Sequence, residues 1–297
     1  MKVRFIINPA AGPFRSRRAE KVTDAVRRRL GGVEGVFDIK VAGGKESAGS
    51  LSKEAVDKGY EVVFACGGDG TVNEVASPLV GRATALGVIP GGSGNGFAMS
   101  LGIPRDLDQA VGLVKEGRVR EIDTGVICGR YFFSTAGCGF DAHLSRRYNE
   151  GAFSGKLRGL VPYFPIAMVE FFRYRAEPVV IRTGLATIKA APFLLTAANT
   201  ERYGGGAIIA PGAVPDDGLL DVCIISDAGA LNAPSIAARL FSGRIDRFKG
   251  FERVRTDTVE ISGRDSTVLH ADGEPFEWTG DVSISVLPKS LKVLVPA

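Results

Sequence analysis

The stretch that decides the fold is EVVFACGGDGTVNE, residues 61–74. Its first half is an apolar run typical of a buried strand, and its second half is a glycine-rich loop that opens into a helix. A strand, a tight loop and a helix in this order form the repeating unit of a parallel α/β sheet. Ligands of such sheets bind at the carboxyl ends of the strands. The stretch therefore predicts both a parallel sheet and a ligand site at its edge.

The first 125 residues repeat this alternation of strand and helix. Strands are predicted at Val3–Ile7, Phe37–Val41, Glu61–Ala65 and Ala85–Ile89, and helices at Ser16–Leu30, Ser47–Lys58, Val72–Leu79 and Leu107–Lys115. Strands separated by helices of this length imply right-handed crossovers and a mostly parallel sheet.

After about Asp123 the pattern changes to short strands with turn signals, which predicts an antiparallel β-sandwich. The predicted strands are Val126–Cys128, Tyr131–Ala136, Val179–Arg182, Pro192–Ala198, Leu219–Ile225, Thr258–Ile261, Thr267–Ala271 and Val282–Val286, with a hairpin turn at Gly129–Arg130. Helices are predicted at Asp141–Tyr148, Leu157–Phe172 and Leu231–Phe241.

Composition narrows the class of protein. The 297 residues are enough for two domains, and 45% apolar residues exclude wholesale disorder. A net charge of +4 is too mild to indicate nucleic acid, and two histidines, His143 and His270, exclude a multi-histidine metal centre. Four cysteines without a CxxC motif favour reduced thiols and the cytoplasm. The most apolar stretch, Gly159–Val169, contains two prolines and is too short to span a bilayer.

Two glycine loops indicate phosphate binding. The loop at Cys66–Glu74 and a second one at Pro90–Ala98 each follow an apolar strand, so they form candidate walls of one nucleotide site. In the first loop, Asp69 suggests a bridging magnesium ion or a base facing the acceptor, and a plain tight turn capped by Thr71 is an equal alternative. In the second, Ser93 and Asn95 suit phosphate or ribose, unless the loop only caps the next helix. Neither loop matches a P-loop, GxGxxG or GxSxG pattern.

A third cluster lies at Leu269–Pro275, where two carboxylates, Asp272 and Glu274, flank a glycine at the end of an apolar strand. Either carboxylate suits a general base. Taken alone, the segment is more typical of a solvated Asp-Gly turn than of a base.

Together these segments resemble the diacylglycerol kinase catalytic family, which includes bacterial lipid kinases and sphingosine kinases and is distantly related to NAD kinases and 6-phosphofructokinases. The matching pieces, in order, are Asn8–Gly12, Gly67–Glu74, Pro90–Ala98, Gly139–Ala142, Pro211–Asp221 and Asp272–Pro275. The resemblance implies an α/β N-terminal domain with a mostly parallel sheet (NAD kinase/phosphofructokinase-like), formed by residues 1–124 and 287–297. A C-terminal antiparallel β-sandwich domain, 125–286, would bind the lipid. ATP would lie between the two domains, and Leu291–Val295 would join the first sheet.

The resemblance also implies the roles of individual residues. ATP would contact Asn8, Gly67, Gly68, Asp69, Gly70, Thr71, Val72, Asn73 and Ser93, and the second loop adds Gly94 and Asn95. Glu274, with Asp272 beside it, would supply the general base, and Asp69 would bind Mg²⁺ or orient the acceptor. A structural Mg²⁺ would bind the Asp217 carboxylate and the carbonyls of Val214 and Leu219. Many members carry Asp where this chain has Gly96, and sphingosine-type members often have a small residue there.

The expected function is therefore an ATP- and Mg²⁺-dependent kinase that phosphorylates a hydroxyl of a diacylglycerol-like or sphingoid lipid. The alternatives are a NAD-kinase-like or other small-molecule kinase, and a non-catalytic lipid- or nucleotide-binding protein. The segment Phe153–Arg175 combines apolar residues with flanking cations, and Arg244–Arg255 adds more positive charge, which suits an anionic membrane surface or, equally, packing and solvated charge. A cytoplasmic protein, peripheral at the inner membrane surface and able to form a homodimer, is expected, without a nucleic-acid partner.

Overall fold

The computed structural model describes residues 1–9, 17–43, 46–150, 167, 169–226, 228–229 and 231–297. The chain forms two compact units: unit 1 is Met1–Ile122 with Lys289–Ala297, and unit 2 is Asp123–Pro288. The first expected motif, Asn8–Gly12, extends beyond these residues after Pro9. Most of the predicted helix Leu157–Phe172 also lies outside them, and within it only 167 and 169–172 are described as helical.

Unit 1 is a parallel sheet with helices between successive strands. Its strands are β1 (Lys2–Ile7), β2 (Val36–Val41), β3 (Val62–Gly67) and β4 (Ala85–Pro90), and its helices are α1 (Arg18–Leu30), α2 (Ala48–Asp57), α3 (Asp69–Ala76), α4 (Gly96–Ser100) and α5 (Leu107–Glu116). The strands lie in the order β2-β1-β3-β4, and each neighbouring pair is parallel. The mostly parallel sheet predicted from the sequence is confirmed.

Local chemistry explains where these elements begin and end. The strands β1, β3 and β4 are almost entirely buried, so they consist of apolar runs, and Phe5 stacks on Phe64 with ring centroids 4.7 Å apart. Helix α2 begins after Ser47, whose hydroxyl accepts the Ser50 N–H at 3.1 Å, and Asp106 caps α5 in the same way.

Unit 2 is built from short, antiparallel strands. They are β5 (Arg118–Ile127, from Asp123 on), β6 (Arg130–Phe132), β7 (Thr135–Gly139), β8 (Val179–Thr183), β9 (Thr187–Ala190), β10 (Leu194–Ala198), β11 (Leu220–Ile225), β12 (Phe251–Thr256), β13 (Thr258–Ser262), β14 (Ser266–Ala271), β15 (Glu274–Thr279) and β16 (Val282–Val295, up to Pro288). The helices are α6 (Phe140–Glu150) and α7 (Ala233–Ser242).

These strands make two sheets that share one apolar core. One runs β12-β11-β10-β7-β14-β15, and the other contains β16-β13-β8-β9 and the β5-β6 hairpin. Side chains of both sheets, among them Leu195, Leu269, Ile181 and Ile261, belong to the same buried cluster. Two sheets with a common core make a sandwich, so the predicted antiparallel sandwich is confirmed.

The end of the chain returns to unit 1. Val293, in the last part of β16, pairs in parallel with Leu86 of β4. This pairing agrees with the expected addition of Leu291–Val295 to the first sheet. Two local predictions need correction. The hairpin turn is Cys128–Gly129, where both residues have positive φ (48° and 80°), and α3 begins at Asp69 rather than Val72 because the chain turns helical directly after Gly68.

The cysteines and the hydropathy complete the description. All four cysteines are free, and burial raises the pKa of Cys138 to about 12, so its thiol stays protonated. No helix in the described part of the chain has both the length and the apolar character needed to cross a membrane.

Candidate active site

The two glycine loops touch each other in unit 1. The Gly91 N–H donates to the Gly67 carbonyl at 2.7 Å. A Cβ added to Gly92 would lie 2.6 Å from the Cα of Gly68, closer than atoms of this kind approach. Only glycine allows this contact, because any side chain would force the loops apart. The prediction that the loops belong to one site is consistent with this geometry.

Unpaired backbone donors surround this contact. Helix α3 begins immediately after Gly68, so its first N–H groups have no partner within the helix. The amides of Gly70 and Thr71 donate to no residue in the described ranges. Asn8, at the end of β1, joins the group through its side-chain amide, which donates to the Thr71 hydroxyl at 2.9 Å. Free amides at a helix N-terminus suit an anion, so this arrangement fits the phosphates of a nucleotide.

Asp69 links the first loop to the helix after the second. One carboxylate oxygen accepts the Phe97 N–H at 3.3 Å, at the start of α4. Burial raises the pKa of Asp69 above its ordinary value, opposed by hydrogen bonds from the backbone N–H groups of Gly96, Phe97 and Asn95, which favour the carboxylate. The side chain therefore caps α4 and fixes the second loop against the first.

The two polar side chains of the second loop behave differently. The Asn95 carboxamide is used within the loop: its oxygen accepts the Gly92 N–H at 2.9 Å, and its nitrogen donates to the Gly92 carbonyl at 2.7 Å. Asn95 also has positive φ (55°), so this residue shapes the turn of the second loop. Ser93, by contrast, is exposed and donates to none of the described residues.

The third cluster forms a tight turn in unit 2. Asp272 accepts three backbone N–H groups, from Phe133 at 2.9 Å, Ser134 at 2.7 Å and Thr135 at 3.1 Å. Its φ of 49° and the 84° of Gly273 reverse the chain between β14 and β15. Glu274, the first residue of β15, is exposed and has no hydrogen-bond or ionic partner among the residues described. The two acids are therefore not equivalent.

A buried polar cluster contacts this turn through His270. His270, Tyr203 and Thr196 all lie within 3.0 Å of the same carboxylate oxygen of Asp141. The other nitrogen of His270 accepts the Gly273 N–H at 3.4 Å. Removal from water and the nearby Asp141 carboxylate raise the pKa of Tyr203, so its hydroxyl stays protonated and donates. This cluster was not predicted, because its members are up to 129 residues apart.

The Asp217 carboxylate of the expected structural metal site is paired with a cation of the protein. The guanidinium of Arg255 pairs with one carboxylate oxygen of Asp217, and the other oxygen accepts the Leu219 N–H at 3.0 Å. A divalent ion on Asp217 would therefore meet a positive charge at its only carboxylate ligand, so this arrangement does not fit a resident Mg²⁺. Across the residues that the structure describes, no three or more His, Cys, Asp or Glu side chains are placed to hold a metal ion.

The structure thus groups the predicted residues by unit. Asn8, the first glycine loop and the second glycine loop come together in unit 1. Asp272 and Glu274 share one turn in unit 2, while Asp217 lies in a separate network with Arg255. Asn199 was missed by the sequence reasoning: its side-chain amide donates to the carbonyls of Asp123 and Phe133, beside the amides that Asp272 binds. Its only sequence signal is a polar residue directly after an apolar strand.

The fold and the paired glycine loops define a two-unit protein with a parallel α/β unit and an antiparallel sandwich. Residues 2–127 match the model of the diacylglycerol kinase catalytic domain, and residues 134–295 match that of the YegS C-terminal NAD kinase beta sandwich-like domain. The chain therefore belongs to the diacylglycerol kinase family of lipid kinases.

Relatives extend over nearly the whole chain. It is 31% identical to a diacylglycerol kinase of Mycobacterium tuberculosis (strain ATCC 25618 / H37Rv), covering 99% of this chain and 95% of the relative. It is 30% identical to a probable lipid kinase YegS-like of Pseudomonas aeruginosa PAO1, covering 87% and 84%. A crystal structure of a diacylglycerol kinase from Bacillus anthracis str. Sterne has a TM-score of 0.72 at 19% identity, covering 99% and 96%, and shows the shared fold.

Proposed function

We propose that this protein transfers the terminal phosphoryl group of ATP to a hydroxyl group of a lipid. Membership of the lipid kinase family supports the reaction class. The observation that carries the proposal is the pair of touching glycine loops in unit 1, with the free amides of Gly70 and Thr71 beside them. ATP, when bound, supplies the phosphoryl group, and the protein contributes positioning and charge stabilisation.

Unit 1 binds the phosphates in this proposal. The amides at the start of α3 donate to phosphate oxygens, and the exposed hydroxyl of Ser93 adds a side-chain donor. The Asn8 side chain donates to the Thr71 hydroxyl. The Thr71 backbone amide takes no part in this bond, so it stays available to a phosphate oxygen. Asp69 acts as a positioning residue, because its carboxylate already caps α4. Magnesium enters with ATP as part of the substrate complex.

Unit 2 supplies the general base. Glu274 is the better base of the two acids, because its carboxylate is exposed and makes no other hydrogen bond within the described residues. The three N–H groups on Asp272 stabilise its charged form and hold it in place, so it fixes the turn that presents Glu274. Glu274 accepts the proton of the lipid hydroxyl as the oxygen attacks phosphorus.

The acceptor is a lipid, with diacylglycerol as the first candidate because the Mycobacterium tuberculosis relative is named diacylglycerol kinase. Unit 2 offers a surface suited to lipid. Phe172 and Val169 are exposed beside the exposed cations Arg173 and Arg175, and the neighbouring Phe171 packs on an apolar cluster. Helix α7 packs on the same cluster. Leu231 just before the helix and Phe241 near its end are exposed, and Arg244, Arg247 and Lys249 follow in sequence. Apolar side chains among cations suit an anionic bilayer surface.

The test is an acceptor screen with γ-labelled ATP and Mg²⁺, in which diacylglycerol, sphingosine and NAD are offered in parallel. We expect label in a lipid product, and we expect Glu274→Gln to lower turnover by about 10²–10⁴-fold. Glu277→Gln is the matched control, since Glu277 is an exposed carboxylate of the same strand that pairs only with Arg146 among the described residues. It should keep the parent rate.

Three outcomes would overturn parts of this proposal. Label in NAD alone would replace the lipid acceptor with a nucleotide. Tight ATP binding without turnover on any acceptor would make the protein a binding module. Equal rates for Glu274→Gln and Glu277→Gln would remove Glu274 as the base.

A further inference from the structure

The segment Pro211–Leu219 of unit 2 is held in place by two arginines of one strand. Arg253 and Arg255 lie on the same face of β12, because alternate residues of a strand point the same way. Arg253 donates to the Pro211 carbonyl at 2.7 Å and to the Asp221 carboxylate at 2.7 Å. Arg255 pairs with Asp217, near the other end of the segment. The two guanidinium groups therefore hold both ends of the segment against the sheet.

Strand pairing fixes the position of Arg255. Antiparallel pairing of β11 and β12 sets Arg255 directly opposite Asp221, and its Nε lies 3.5 Å from the Asp221 carboxylate. The Asp221 side chain is almost fully buried, so its carboxylate has lost most of its contact with water. Its ion pairs with the two arginines offset the cost of this desolvation. Within this group of four, two guanidinium groups balance two carboxylates without any added ion.

A third attachment is made by Asp123. Its carboxylate accepts the Gly218 N–H at 2.7 Å, and its own N–H donates to the Pro215 carbonyl at 2.7 Å. Gly218 has a φ of 77°, a conformation that favours glycine, so the turn needs these contacts to stay in one shape. Carboxylates and one backbone N–H of the protein thus bind the carbonyl of Pro215 and the amides of Gly218 and Leu219.

We infer that Arg255 does in this protein what a divalent cation would do at the same segment: it neutralises Asp217 and fixes the turn that follows. The segment Val214–Leu219 is then ordered without Mg²⁺. Removal of the guanidinium frees the Asp217 carboxylate, which is a hard oxygen donor of the kind that Mg²⁺ binds. The inference is independent of the proposed function, because neither ATP nor a lipid takes part.

The experiment compares the parent, Arg255→Gln and Arg182→Gln without nucleotide. Arg182 is the matched control, a strand arginine of unit 2 whose guanidinium donates to the Ser262 hydroxyl and contacts no carboxylate among the described residues. Unfolding temperatures are measured with chelator and with millimolar Mg²⁺, and Mn²⁺ binding is followed by electron paramagnetic resonance. We expect no Mg²⁺-dependent shift for the parent. Arg255→Gln should unfold about 2–4 °C lower in chelator and regain stability with Mg²⁺.

The Mn²⁺ measurement separates the outcomes. Arg255→Gln should gain one Mn²⁺ site that the added change Asp217→Asn removes, while Arg182→Gln behaves as the parent. A Mn²⁺ ion bound by the parent and lost in Asp217→Asn would overturn the inference. An unfolding temperature of Arg255→Gln that does not change with Mg²⁺ would also overturn it. If Arg255→Gln does not fold, the parent and Asp217→Asn still decide: the inference requires that neither binds Mn²⁺ at this segment.

Discussion

At the scale of single residues, similar side chains take different roles according to what surrounds them. Asp69, Asp272 and Glu274 are all acids that the sequence marks as catalytic candidates. Asp69 caps a helix, Asp272 holds three amides of a neighbouring corner, and Glu274 alone has a carboxylate without a partner among the described residues. Proximity in sequence to a glycine therefore does not distinguish a base from a positioning residue. The number of hydrogen bonds that each carboxylate already accepts does distinguish them.

The raised pKa of Asp69 gives a prediction for Asp69→Asn. A carboxyl group whose folded pKa is raised stabilises the protein below its unfolded pKa, and this contribution is lost as the pH rises through the folded pKa. The variant lacks this loss, because asparagine does not ionise. The unfolding temperature of Asp69→Asn should therefore rise relative to that of the parent as the pH increases above about 4. Turnover should fall by about 10²-fold, because the second loop loses its fixed position.

Thermal unfolding across this pH range checks the stability effect, and the acceptor assay checks turnover. Asp57→Asn is the control, since Asp57 is an exposed carboxylate at the end of α2. Its difference from the parent should not grow over the same range. A gap between Asp69→Asn and the parent that stays constant or narrows with rising pH would contradict the assigned burial effect.

At the scale of elements, the two glycine loops depend on their contact, which leads to a prediction for Gly92→Ala. The new Cβ would lie 2.6 Å from the Cα of Gly68 and 3.3 Å from the Asn95 carboxamide oxygen. Backbone atoms cannot yield as a flexible side chain does, so the loops must move apart. We expect a loss of about 1–3 kcal/mol in the free energy of unfolding and about tenfold weaker ATP binding.

Denaturant unfolding and calorimetric titration with ATP measure the two effects. Gly32→Ala provides the comparison, because a Cβ at Gly32 meets no atom within 4 Å and the residue also lies in unit 1. It should bind ATP as the parent does. Unchanged ATP affinity in Gly92→Ala would mean that the loop contact does not shape the nucleotide site.

The sequence predicted buried strands correctly and missed strands that are exposed at the edges of the sheets. The strands β1, β3 and β4 are covered on both faces, so their apolar runs were recognised directly. The strands β9, β12 and β15 were not predicted, because each is the last strand of its sheet and carries polar, exposed residues. The glycine loops were found because their chemistry is local. The pairs Asp141–His270 and Asp217–Arg255 were not, because a single sequence gives no distance between remote residues.

At the scale of the whole molecule, each unit has its own core, and the chemistry is divided between them. Unit 1 carries the donors suited to phosphate, and unit 2 carries Glu274 and the exposed apolar side chains of Phe172, Leu231 and Phe241. Two chain passages, within β5 and β16, join the units. Variants in one unit should therefore leave the stability of the other largely intact, which makes losses of ATP binding and losses of lipid binding separable by experiment.

The surface that we propose to contact lipid gives the last prediction. Leu231, just before helix α7, is 97% exposed and Phe241, near its end, is 55% exposed, and Arg244, Arg247 and Lys249 follow in sequence. Insertion of these two apolar side chains into a bilayer, together with attraction of the cations to anionic lipid, should bind the protein to anionic vesicles. High salt screens the attraction and should release the protein.

We expect the double variant Leu231→Ser with Phe241→Ser to lower the vesicle partition coefficient by about tenfold or more. Cosedimentation with phosphatidylglycerol-containing and purely zwitterionic vesicles measures this. Leu185→Ser serves as the control, because Leu185 is 81% exposed in the loop between β8 and β9, away in sequence from these cations. Equal losses in both variants, or equal binding of the parent to both kinds of vesicle, would assign the contact to general hydrophobicity rather than to this surface.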